Sequence, residues 1–74
     1  MEIESRVFLL AILKKQEDES LKDVILILED AGVFSFKEGK KLLKELKNDG
    51  YVDGEALTFI GIEKAKDAEL EFKL

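Results

Sequence analysis

The sequence predicts a mainly helical fold with one small β-hairpin, and three observations carry that prediction. Three of its four helix-like stretches open on capping residues, at Ser20, Ser35 and Thr58. One segment, Tyr51 to Thr58, sets Asp53-Gly54 between short apolar pairs, a hairpin signal. Apolar residues fill 46% of the 74 positions and proline is absent, which favours a packed chain over a disordered one. The length allows one domain, 1–74, with a thin core.

Ile3 to Gln16 reads as the first helix. Glu2 and Glu4 at its start and Lys14 and Lys15 at its end suit the helix dipole. Its middle, Val7 to Leu13, is apolar on every side. A helix of that kind is buried on more than one face, and so short a chain has little material to surround it. A second copy is the expected cover, with Val7, Phe8, Leu9 and Ile12 at the contact together with Leu70 and Phe72. The competing explanation is that the other helices of the same chain wrap it.

Ser20-Leu21-Lys22-Asp23 resembles a capping box and starts a second helix from Leu21 to about Asp30. The β-branched run Val24 to Leu28 also fits a buried strand, but the cap and the length favour helix. Gly32 suits the left-handed position after the helix end. Ser35-Phe36-Lys37-Glu38 is a full capping box that starts the third helix, and Asn48-Asp49-Gly50 ends it. Asp53-Gly54 predicts a type I′ turn. Thr58 caps a last helix over about Phe59 to Ala68, with Ile62, Ala65 and Ala68 facing inward. The tail from Glu69 alternates in period two through Leu70, Phe72 and Leu74, so helix and strand compete there, with helix favoured.

The third helix has three faces when its residues are set at 100° steps. Phe36, Gly39, Leu42, Leu43 and Leu46 form an apolar arc; Glu38, Glu45 and Asp49 form an acidic edge. Lys37, Lys40, Lys41, Lys44 and Lys47 form an arc with no acid inside it. Gly39 costs about 1 kcal/mol relative to alanine in a helix, so its place on the apolar arc predicts close approach by another element. The whole chain carries a net charge of −5, yet residues 36–50 hold five bases against three acids. Global acidity opposes generic binding of nucleic acid; the local reversal confines any polyanion to one surface. Segregated lysines also place like charges at i,i+4, a small cost that an ordinary solvated face avoids.

The order helix, helix, turn, helix, tight hairpin, helix resembles a winged helix-turn-helix domain. Ala31-Gly32-Val33, then Leu42, Leu43 and Leu46, then Gly50-Tyr51-Val52 look like its turn, recognition helix and exit into the wing. Leu57-Thr58-x-x-Gly61-x-x-x-Ala65 is similar to the strand-to-last-helix junction of small transcription regulators of the MarR and PadR types. The resemblance implies a three-helix core, a minimal wing and a C-terminal helix, and a homodimer on double-stranded DNA. Lys37, Lys40, Lys41, Lys44 and Lys47 are then the phosphate contacts, with Ser35 and the helix N-terminus assisting. The chain departs from the family pattern in three ways. The turn between Gly32 and the third helix is about one residue longer than the motif's usual turn. The wing is a stub with Glu55 beside it, and the only arginine, Arg6, lies in the first helix. Bidentate arginine contacts to guanine are the commonest specific readout, so these departures keep a second function open: a winged-helix module that binds an acidic protein partner and no DNA. A plain helical bundle with one hairpin is the competing architecture.

No catalytic chemistry is expected. Cysteine and histidine are absent, which removes disulfides, thiolate nucleophiles and the commonest general base. There is no phosphate-binding glycine loop, and Asp49, Asp53 and Glu55 lack the oxygen spacing of a calcium loop. Glu17-Asp18-Glu19 reads as a solvated turn. No cofactor or metal is expected. The start, Met1-Glu2-Ile3-Glu4, is acidic where a secretory leader is basic, and the longest apolar run has seven residues, so a cytoplasmic place away from membranes is expected.

Overall fold

The computed structural model describes residues 2–72. It is mainly helical, with α1 (Ile3–Lys14), α2 (Leu21–Asp30) and α3 (Phe36–Asn48), then a hairpin of β1 (Val52–Asp53) and β2 (Ala56–Leu57), then α4 (Phe59–Phe72). The two strands pair antiparallel, Val52 with Leu57 and Asp53 with Ala56.

Capping sets the helix boundaries. At α2 the Asp23 amide donates to Ser20 Oγ (3.1 Å) and the Ser20 amide donates back to Asp23 Oδ2 (3.0 Å). At α3 the Glu38 amide donates to Ser35 Oγ (3.2 Å) and the Ser35 amide to Glu38 Oε1 (3.1 Å). Both helices end in the same double hydrogen bond. The Gly32 and Val33 amides reach Glu29 O and Leu28 O; the Gly50 and Tyr51 amides reach Lys47 O and Leu46 O. Gly32 and Gly50 take φ of 78° and 83°, the left-handed turn that this ending requires. α1 has no such device and stops two residues short of the expected Gln16. The Gln16 amide turns instead to the Glu19 carboxylate at 2.7 Å, so Glu19 shapes this loop rather than only solvating it.

The hairpin differs from its predicted form. The strand register puts Gly54-Glu55 at the centre of the two-residue loop, not Asp53-Gly54. Gly54 alone has a positive φ, 62°, the pattern of a type II′ turn. The side chain of Glu55 folds back and accepts the Leu21 amide of α2 at 3.0 Å, which explains the shift: the loop is pinned from outside. Thr58 caps α4 as expected, accepting the Gly61 amide at 3.1 Å while its hydroxyl donates to Gly50 O. α4 runs past Ala68 to Phe72, so the tail is helix as far as it is described; Leu74 lies outside the described residues.

The core is built around α1. Phe8, Leu9, Leu21 and Ile25 are fully buried, and Phe8 meets Phe34 edge to face with ring centroids 5.4 Å apart. α4 packs along α1 with the small residues Ala65 and Ala68 buried, while Gly61 lies against the Tyr51 carbonyl of the hairpin. Arg6–Glu71 and Lys14–Glu69 ion pairs flank that contact. The expectation that Phe8, Leu9 and Ile12 face a second copy is therefore corrected: α2, α4 and the hairpin already cover them. Val7 is half-buried against the core. Leu70 and Phe72 do stay exposed, as does Ile3. Close approach at Gly39 is also present, since an added Cβ would fall 2.7 Å from both Ile25 Cγ2 and Phe34 Cε1. No helix among the described residues is long and apolar enough to cross a membrane.

Candidate polyanion-binding face

α3 stands out from the core on its lysine side. Leu46 and Gly39 are buried, while Lys37, Lys40, Lys41, Lys44 and Lys47 are all exposed. Among the described residues the ion pairs within 4 Å are the two that join α1 to α4, so none neutralises a lysine of α3. Lys41 and Glu45, one helical turn apart, form no ion pair within that distance. Lys40 Nζ lies 5.7 Å from the centre of the Phe36 ring, a cation–π contact that steadies the ammonium without cancelling its charge.

Lys41 differs from the other four. It lines an open cleft of about 680 Å³ together with Glu2, Glu4, Glu38, Glu45 and Asp49. Five carboxylates share that cleft, which makes its surroundings more acidic than those of the other lysines although none pairs with Lys41 within 4 Å. The remaining arc is Lys37, Lys40, Lys44 and Lys47.

The amino-terminal end of α3 is unlike the side. The Ser35 and Glu38 amides close the capping box, and the Phe36 amide donates to Glu29 Oε2 at 2.9 Å. Ser35 and the helix terminus, expected to assist phosphate binding, are thus engaged by the chain's own carboxylates. The local box was legible in Ser35-Phe36-Lys37-Glu38; Glu29 arrives from the previous helix, and no local pattern announces it. α2 repeats the arrangement, with Asp23 in the box and Glu55 on the first helical amide. Among the described residues no group of three acidic side chains is placed to hold a metal ion.

Glu38 is held below the ordinary carboxylate range, first by the hydrogen bond from the Ser35 amide, then by the Ser35 side chain, with Lys41 adding to it. A depressed carboxyl stabilises the fold above its unfolded pKa and stops doing so as pH falls through its folded value. The thermal midpoint of wild type should therefore exceed that of Glu38→Gln at neutral pH. Acidification below the ordinary carboxylate range should close the gap. A gap that stays constant on acidification would contradict the assignment.

Compared with protein-family models, curated proteins and solved structures, the chain matches none of them.

Proposed function

We propose that this chain is a DNA-binding protein of the winged helix-turn-helix type, a regulator of transcription that acts as a homodimer and has no catalytic role. The observation that carries the proposal is the lysine arc of α3: Lys37, Lys40, Lys44 and Lys47 are exposed, unpaired by carboxylates and segregated in an acidic protein. The succession of three helices, short hairpin and last helix supports the fold type. Exposed Leu70, Phe72 and Ile3 support a dimer contact at the ends of α4 and α1, with Val7 behind it.

Four lysines on one helix side grip phosphates better than they read bases. Lysine is a flexible point charge, whereas base readout favours the planar fork of arginine. Binding in this mode depends on backbone charge and changes little with sequence.

A second reading has its own observation. The hairpin has two residues per strand, no base in its loop, and Glu55 turned back onto α2. It offers no cation to DNA, which favours a module whose lysine arc meets an acidic protein surface.

Titration of a labelled mixed-sequence duplex separates the two. Four phosphate contacts per protomer, eight in the homodimer, predict a fall of log K with log salt at a slope of roughly −7.2. Lys40→Glu/Lys44→Glu should abolish detectable binding while leaving the helical circular dichroism unchanged. Absence of wild-type binding even at low salt would sink the DNA reading and leave the acidic partner.

A further inference from the structure

We propose that Glu29 is a selectivity residue, which fills the amino-terminal end of α3 with a carboxylate and so confines a bound duplex to the lysine side of the helix. The inference rests on the DNA reading above.

The amino terminus of a helix ordinarily attracts phosphate, because its first amides point outward and the dipole is positive there. In α3 three of the amides at that end are engaged by the chain's own side chains. The Phe36 amide is held by Glu29 Oε2 at 2.9 Å, the Ser35 amide by Glu38 Oε1, and the Glu38 amide by Ser35 Oγ. Ser35 and Glu38 belong to a box that many helices carry for their own stability. Glu29 does not. It reaches across the turn from the exposed end of α2, seven residues away, and sets a second negative charge at the same end. A phosphate arriving end-on meets two carboxylates and finds these amides taken. One arriving from the side meets Lys37, Lys40, Lys44 and Lys47. End-on entry is how a recognition helix brings its first residues to base edges. Closing it selects sideways contact with the backbone.

Glu29→Gln isolates the charge. The amide oxygen of glutamine still accepts from the Phe36 amide, so the turn keeps its hydrogen bond. Glu63→Gln is the control. It removes the same charge from an exposed position on α4, whose main packing partner is α1. Both variants and wild type are titrated with the same labelled mixed-sequence duplex over a salt series, with circular dichroism confirming the fold. Glu29→Gln should bind about three- to tenfold more tightly than wild type at low salt, and the gain should shrink as rising salt screens the lost charge. Glu63→Gln should gain less than about twofold, with an unchanged slope. Equal gains in the two variants overturn the role of Glu29 and leave the lysine reading intact. Binding by none of the three proteins at low salt overturns the lysine reading itself.

Discussion

Gly61→Ala is expected to lower stability by about 3 kcal/mol, although alanine is the better helix former by about 1 kcal/mol. A Cβ at this position would lie 1.9 Å from Tyr51 O and 2.9 Å from Tyr51 C. Both are backbone atoms, so no side chain can swing aside. The same carbonyl accepts the Thr58 amide at 3.0 Å. Moving α4 away to make room therefore strains the hinge that starts it, including the Thr58 hydroxyl bond to Gly50 O. Against a total stability of roughly 4–11 kcal/mol for a chain of this length, the loss is large. It corresponds to a fall of roughly 12–24 °C in thermal midpoint. Gly39→Ala is the instructive contrast. Its Cβ meets Ile25 Cγ2 and Phe34 Cε1 at 2.7 Å, atoms of buried side chains that can yield only by repacking the core. Its overpacking should outweigh the gain in helix propensity, leaving a loss of about 1 kcal/mol, smaller than at Gly61 because no backbone atom blocks it. Thermal melts of the two variants side by side test the difference. Equal midpoints would show that α4 is free to shift.

The difference between these glycines also marks what a sequence can disclose. Gly39 sits on the apolar arc of a strongly amphipathic helix, so its packing role follows from periodicity. The tightness at Gly61 depends on a carbonyl ten residues earlier, brought there by the hairpin. The same division runs through the polar contacts. Ser20–Asp23 and Ser35–Glu38 are local boxes, readable from spacing, and both form. Glu29 on Phe36 spans a turn and Glu55 on Leu21 joins residues 34 apart, and nothing in their neighbourhoods signals them. Hence the lysine arc was legible as a face, but the closure of its end was not. The hairpin was legible as a hairpin, but its turn type was not, because Glu55 is held from outside the loop. Phe34 had no assigned role: it lies in an irregular turn, where no period applies, yet it fills the core against Phe8.

Phe8→Ala should be the most damaging substitution in α1, with a loss of about 3–5 kcal/mol. The ring is completely buried and makes the edge-to-face contact with Phe34. Removing it deletes the transfer energy and leaves a cavity beside Phe34 in the shared core, which is too firmly packed to collapse into it. Dependence on protein concentration identifies which surface Phe8 serves. A ring in the chain's own core destabilises the fold by the same amount at any concentration, whereas a ring at a dimer contact gives a midpoint that rises with concentration. The structure predicts the first behaviour for the Phe8→Ala deficit. Leu70→Glu should behave in the opposite way. Leu70 is 71% exposed, so its loss leaves the core untouched and the helical signal unchanged. If the ends of α1 and α4 form the dimer, sedimentation of Leu70→Glu should give the monomer mass at concentrations where wild type gives twice that mass. Wild type sedimenting as a monomer at high micromolar concentration would remove the dimer from the proposal. The lysine arc would then have to hold DNA through a single copy of α3, with half the phosphate contacts and a correspondingly shallow salt dependence.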